Sequence, residues 1–326
     1  MRGAALNRRE PDPAEPPVPA CSEFAQAMLE ALRSRPRSIA PKFFYDRQGV
    51  ALFDRICRLD EYYLTRTEIA ILRQNAQHIA RLIGPRADLV EFGAGSPIKA
   101  AILLEALQDP VRYVPVDLSV EYLDGAKNDL ERAHPGLVVE PIAADFARPL
   151  ALPGQRPGNG HRVGLFLGST IGNLSPDQAQ AFLADAAVRL KGGALLIGVD
   201  LVKEPDVLHR AYNDGHGVTA AFNRNLLVRA NRELGADFDP ASFDHYAFYQ
   251  PQAQRIEMHL ISGRRQTVHA CGCAFEFARG ESLHTENSYK YTIEGLRDLA
   301  ARAGWVPAEV WCDPQRLFSV HWLLAP

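Results

Sequence analysis

The apolar positions of this chain change their spacing several times, and the changes divide it. Phe24, Met28, Leu29 and Leu32 recur at helical intervals in CSEFAQAMLEALR, predicting a helix over 21–33. The stretch Lys42-Phe43-Phe44-Tyr45-Asp46 and Gly49 separate it from a second helical run, LFDRICRL, and Thr67 is placed to cap a helix over 68–83. From residue 88 short apolar runs at 89–92, 112–118, 137–142, 163–167 and 194–201 alternate with helical segments at 98–107, at 119–133 behind Ser119, and from Ser175-Pro176 to Gly192-Gly193. Repeated strand–helix units predict a parallel, doubly wound sheet with ligands at the C-terminal strand ends. The alternation stops near Val202. Residues 207–234 read as helix and 246–277 as strands turning at Gly263, where Ile256, Met258 and Leu260 alternate with Arg255, Glu257 and His259. After Tyr291 the strand–helix order returns, with Thr292 capping a helix to 303 and strands at 305–311 and 317–324. Residues 1–20 have no periodicity and read as a disordered tail.

The chemistry begins at the first turn of the alternating region, EFGAGSPIK. A strand that passes through a Gly-rich turn into a helix lets backbone approach a ligand and presents free N–H groups. Ile98 stands where a dinucleotide fingerprint needs its third glycine, and no Gly-Lys-Ser/Thr is present, so neither that motif nor a P-loop applies. What remains, acidic-x-Gly-x-Gly led by Glu91, resembles the first motif of S-adenosylmethionine-dependent methyltransferases. On that reading Gly93 and Gly95 approach the methionine moiety and Asp117 accepts the ribose hydroxyls. Asp145 and Phe146 meet the adenine, and Lys99 reaches the methionine carboxylate. The stretch Gly168-Ser169-Thr170-Ile171-Gly172-Asn173 lies where such enzymes hold the methyl acceptor. Asn173 offers both a carbonyl and an NH₂, which suits an amino acid.

Composition adds bounds. With 326 residues, 47% hydrophobic and 23% charged, the chain reads as a soluble enzyme with an ample core. A net charge of −3 gives no footprint for nucleic acid, and no apolar run reaches the length of a membrane span. Five cysteines do not form a disulfide framework, which points to free thiols and a cytoplasmic protein. Cys271 and Cys273 read as alternate residues of one strand with no partner pair, so no metal is expected.

Six ordered motifs carry a more specific resemblance: FYDRQG, EYYLTRTE, EFGAGS, FLGSTIGNL, AYNDGHGVTAAFNRN and TENSYKY. Together they are similar to the histidine-specific Nα-methyltransferase family of ergothioneine biosynthesis, over nearly the whole chain from about residue 38. The resemblance implies an α/β fold: a doubly wound, seven-stranded class I methyltransferase sheet with a second, inserted α+β substrate-binding lobe. The lobe would comprise 21–66 and 203–289, and the S-adenosylmethionine-binding domain 67–202 and 290–326. It also implies that Asn173 and Tyr212 hold the substrate carboxylate while Gly168 and Thr170 line the amine side, with Tyr45 near the amine. Glu286 and Ser288 would bond the imidazole nitrogens, Met258 would touch the ring, and Tyr62, preferred to Tyr63 by its spacing from Tyr45, would close that end. Imidazole has one donor and one acceptor, so a carboxylate with a hydroxyl reads both, whereas an indole has only a donor. No His or Lys stands out as a base; Tyr45 either orients the amine or takes its proton through water. The expected enzyme is a monomer that trimethylates L-histidine to hercynine, with no nucleic-acid or membrane partner. The alternatives are a relative acting on a tryptophan-type or modified histidine amine, or a non-catalytic binding protein.

Overall fold

The structure, a computed structural model, describes residues 22–326 except Ser96, Ser119 and residues 156–159, with the backbone alone for 120–126. The expected tail and the Ser119 cap lie outside the described residues. Helix α1 (Glu23–Arg33) starts at Ser22, whose hydroxyl accepts the Ala25 N–H, and buries Phe24, Met28 and Leu32. Strand β1 (Arg37–Ser38) and a 3-10 turn over Pro41–Phe44 lead to α2 (Arg47–Ile56). Asp46 caps α2 through the Gly49 N–H at 2.7 Å and accepts from Asn225 at 2.7 Å, so two of the six motifs meet at one carboxylate. Helix α3 (Tyr63–Ile83) begins earlier than the sequence suggested. Thr67 does not cap it. It lies inside the helix with its hydroxyl donating to the Tyr63 carbonyl at 2.8 Å, because Tyr63 and Leu64 are already core residues that belong to the first turn.

The alternating region supplies β2 (Asp88–Phe92), α4 (Ile98–Ala106), β3 (Arg112–Asp117), α5 (Val120–Ala133), β4 (Val138–Val139), β5 (Ile142–Ala143), β6 (Arg162–Phe166), α6 (Pro176–Arg189) and β7 (Ala194–Asp200). The middle block supplies α7 (Pro205–Tyr212), α8 (Val218–Leu234), β8 (Phe243–Gln250), β9 (Arg255–Ser262), β10 (Gln266–Ala270), β11 (Cys273–Phe277) and β12 (Ser282–Tyr289). The chain closes with α9 (Ile293–Arg302), β13 (Val306–Cys312) and β14 (Phe318–Leu324). The main sheet runs β13-β14-β7-β6-β2-β3-β4, with β5 also on β3. Within it β14 runs antiparallel to both β13 and β7, and the other described pairs are parallel. This is the doubly wound, mostly parallel sheet that the sequence led us to expect, with eight strands rather than seven because the third is interrupted. Strands β2, β6 and β7 are buried along their whole length, as central strands covered on both faces must be. The expected strand at 137–142 is split into β4 and β5. The register on β3 does not change across the gap, Tyr113 facing Val139 and Val116 facing Ile142. The N–H groups of Val138, Glu140 and Ala144 donate toward β3, so the N–H that Pro141 lacks would face the open edge, where proline is tolerated.

The helical stretch expected at 207–234 is two helices. Between them Asp214 accepts the N–H groups of Val218 at 2.8 Å and Thr219 at 2.7 Å and so starts α8. A second sheet runs β1-β12-β9-β8, and β10–β11 form a separate hairpin. Cys271 and Gly272, with φ of +50° and +73°, make the turn of that hairpin, so Cys271 is not a strand residue as the alternation implied. In β12 the register shifts between His284 and Glu286: His284 opposes His259, and Glu286 opposes Met258. Thr285 is the extra residue of a β-bulge. Its buried hydroxyl lies 2.8 Å from Asn223 Oδ1 and 3.0 Å from the Met258 carbonyl. Beyond β12 the chain joins the main sheet, as the Tyr291 N–H donates to the Asp200 carbonyl at 3.0 Å.

Asn223→Ala removes the α8 side of this anchor and leaves Thr285 and His245 short of a partner. We expect it to cost about 1–3 kcal/mol, roughly 2–8 °C in thermal unfolding. An unchanged melting temperature would show that the bulge needs no such support.

Candidate active site

The turn after β2 and the loop after β6 flank the point where the strand order of the main sheet reverses. Gly93 has φ of +70°, and a Cβ there would lie 3.3 Å from the Phe146 ring and 3.4 Å from Thr170 Cγ2. Any side chain would therefore fill the space between turn, ring and loop. Gly95 opens onto free space, and α4 begins just beyond it. Phe146 is fixed edge-on to Phe166 and Phe182 at 5.4 and 5.8 Å. Asp117 ends β3, where a ribose acceptor is wanted. Three other expected contacts are engaged within the protein. Glu91 accepts from the Tyr113 hydroxyl inside the sheet, and burial pushes its carboxyl up to about 7. Asp145 is paired with Lys42 at 2.8 Å, a residue of the N-terminal segment. Lys99 is paired with the fully buried Glu68 at 2.6 Å.

Glu68 was not foreseen, although it sits in the EYYLTRTE motif. Its two oxygens accept the Gly168 N–H at 2.8 and 2.9 Å, which holds the acceptor loop to α3. Room for that carboxylate comes from Gly198 in β7, where a Cβ would lie 1.9 Å from Glu68 Oε1. Gly168 itself has φ of +82°. Thr170 donates to the Leu167 carbonyl at 2.8 Å, and Ser169 accepts the Asp200 N–H at 3.0 Å. The half-buried Asn173 ends the short 3-10 turn of this loop, and its amide makes no hydrogen bond with a described residue.

The second sheet brings the remaining candidates together. Because the bulge resets the strand's phase, Glu286 and Ser288 share the buried face of β12 with Met258 and Ile256 opposite them. Burial pushes the Glu286 carboxyl up to about 7, with the Lys290 ammonium pulling the other way. Tyr212, at the end of α7, has its hydroxyl 2.7 Å from Ser288 Oγ. These two residues, which the resemblance assigns to opposite ends of a ligand, therefore meet. Tyr62 packs edge-on against Tyr212 at 6.2 Å and Phe53 at 6.2 Å, whereas Tyr63 donates to Asp200 at 2.9 Å. Tyr62 is thus the tyrosine that faces this group. Tyr45 packs against Phe53 and Phe222. Burial, with the carboxylates of Glu286 and Asp117 adding to it, holds its phenol well above the usual value. It stays protonated at neutral pH and can donate a hydrogen bond.

Lys290 also went unnoticed inside TENSYKY. Its fully buried ammonium lies 2.9 Å from Asp200, 3.0 Å from the Tyr212 hydroxyl and 2.8 Å from Ser288 Oγ. No local pattern marks such a residue, since its counter-ion ends a strand of the other sheet. On the opposite face of β12 and β9, Glu257, His259 and His284 each bring a donor atom within 4.8 Å of one another. Arg255 already binds Glu257, and both nitrogens of His284 are bonded, to Ser38 and to the Glu286 carbonyl.

The sequence profile of the histidine-specific, S-adenosylmethionine-dependent methyltransferases matches residues 24–325. The chain belongs to this family. A histidine N-alpha-methyltransferase of Mycolicibacterium smegmatis is 42% identical over 91% of this chain and 95% of that protein. One from Mycobacterium tuberculosis is 42% identical over 88% and 90% of the two chains. Ergothioneine biosynthesis protein 1 of Neurospora crassa is 30% identical over 85% of this chain, which spans 32% of that longer protein. The cofactor of this methyltransferase is S-adenosylmethionine. The residues present fit it: a glycine cradle that a Cβ would fill, an acid ending β3, and an aromatic ring fixed beside the turn. Among the described residues no helix is long and apolar enough to cross a membrane.

Gly198→Ala should push Glu68 off the Gly168 N–H and Lys99, costing about 1–3 kcal/mol. The rise in melting temperature on adding S-adenosylmethionine should shrink with it. A full cofactor-induced shift in the variant would show that the Glu68 bridge does not shape the cofactor site.

Proposed function

We propose that this methyltransferase acts on the α-amine of L-histidine, three times, to give hercynine, the first step of ergothioneine biosynthesis. The observation that carries the reading is a buried carboxylate and hydroxyl, Glu286 and Ser288, on one strand face beside Tyr212. An ionised carboxylate only accepts and a hydroxyl can donate, which matches the N–H and the lone pair of a neutral imidazole. A histidine folded so that its nearer ring nitrogen approaches its own carboxylate suits the contact of Ser288 with Tyr212. The ring would then lie over Met258 and under Tyr62, with its far N–H on Glu286. Asn173 would join Tyr212 on the carboxylate, and Gly168 and Thr170 would border the amine. The names of the mycobacterial and Neurospora relatives support the same substrate and pathway.

The cofactor supplies an electrophilic methyl on sulfur when bound. The protein's part is to bring a neutral amine into line with it and to exclude water. Asn173 and the protonated Tyr45 would orient the amine, and no step uses Tyr45 as a base. Repeated methylation needs the partly methylated amine to turn within the site while the ring and carboxylate stay held. The lobe boundaries at residues 66, 202 and 289 would place the ring-reading groups on one lobe and the cofactor loops on the other, in a monomeric protein.

Incubating the protein with S-adenosylmethionine and each amino acid, and weighing the products, tests this directly. Trimethylated histidine is expected; methylation of another amino acid with none of histidine would overturn it. The Glu286 carboxyl gives a pH signature. Held near 7, above the usual ~4.3, it is protonated below that value and cannot accept the ring N–H. The KM for histidine should therefore climb as pH falls below about 7, by at most tenfold per unit. Glu286→Gln should raise KM and abolish that limb, leaving only the substrate's own titration. Because that pKa is raised, burying Glu286 costs folding stability as pH rises from about 4.5 to 7.

A further inference from the structure

The ammonium of Lys290 has three protons, and the structure accounts for all of them: one each to Asp200, the Tyr212 hydroxyl and the Ser288 hydroxyl. Each hydroxyl oxygen thus already accepts a hydrogen bond from behind. A hydroxyl in that position has its own proton left to give. Without a ligand, one of the pair gives it to the other across 2.7 Å. With a ligand that carries acceptors, both protons can turn outward. Asp200 also accepts from Lys203 at 2.6 Å, so Lys290 does not satisfy it alone. Tyr63 holds Asp200 from the α3 side, which fixes the ammonium rather than letting it swing toward the ligand.

We propose that Lys290, held by Asp200, is a positioning and specificity-determining residue that makes the Tyr212–Ser288 wall of the pocket donate only. That wall then selects an acceptor with a free carboxylate and an unprotonated ring nitrogen on the same side, while Glu286 takes the ring N–H. Lys290 acts through the two hydroxyls and does not itself touch the substrate. The proposal rests on the histidine reading above and adds to it the residue that sets the polarity of the site.

Lys290→Met keeps the stem and removes the charge, while Asp200 retains Lys203 and Tyr63. Steady-state rates with L-histidine and with L-histidinamide, which lacks the anionic carboxylate, read the effect. In Lys290→Met the KM for histidine should rise about 10- to 100-fold, the effect of losing a charge-assisted hydrogen bond. The preference for histidine over its amide, as a ratio of kcat/KM, should fall at least about tenfold. The cofactor-induced rise in melting temperature should persist. In Ser288→Ala the further effect of Lys290→Met should be much smaller than in the wild type, because one partner of the lysine is gone. If Lys290→Met shows no cofactor-induced shift, it has lost its fold, and Lys290→Gln carries the same comparison. An unchanged KM and ratio overturn the proposal. So does an equal loss of rate toward both compounds, which a merely structural lysine would give. Histidine left unmethylated by the wild type overturns the histidine reading as well, and that arm is independent of either variant.

Discussion

A buried lysine and a buried aspartate close the seam between the two sheets, and most of the site is arranged around them. Asp200 ends β7 of the main sheet and Lys290 follows β12 of the second. Their side chains meet at 2.9 Å, and the backbone bond from Tyr291 to Asp200 runs alongside. The acceptor loop hangs on the same point through Ser169, α3 through Tyr63, and α7 through Tyr212. A buried ion pair is a poor source of net stability, since desolvation consumes most of the attraction. Its value is geometric: removing Asp200 would leave the buried Lys290 ammonium without its paired carboxylate, so the elements keep one relative placement. A site that must align an amine with a methyl group to within fractions of an ångström needs such a fixed frame.

Much of the fold could be read from the chain because it depends on local order. The strand–helix alternation fixed which elements lie in the main sheet, and its interruption near Val202 marked the inserted strands. The capping serine before Pro176 and the alternation of Ile256, Met258 and Leu260 appear as expected. Where the reading failed, a non-local or single-residue effect decided. Thr67 lies inside α3 because Tyr63 was already core, and Cys271-Gly272 was a turn.

The site was legible in its residue types and less so in their connections. Gly93, Phe146, Asn173, Tyr62, Glu286 and Ser288 were all visible as candidates, because motifs name residues that face ligands. Charge pairings were not, because they join distant segments. Lys99 turns to Glu68, Asp145 to Lys42, and Lys290 to Asp200, and none of these partners is near in sequence. Gly198 makes room for a carboxylate that arrives from α3, so its meaning is invisible until the helix is placed.

The single extra residue in β12 has a consequence that reaches past its own position. A strand has two sides, and each added residue exchanges them for everything downstream. His284 and Glu286 are two apart and would share a side in a regular ladder. Here Thr285 sends the histidine outward, toward His259, and the acid inward, toward Met258. The parity of one segment thus decides whether Glu286 and Ser288 line an interior or a wet exterior. A lineage that gained or lost one residue at this point would exchange the inner and outer faces of this strand wholesale, without altering a single side chain on it.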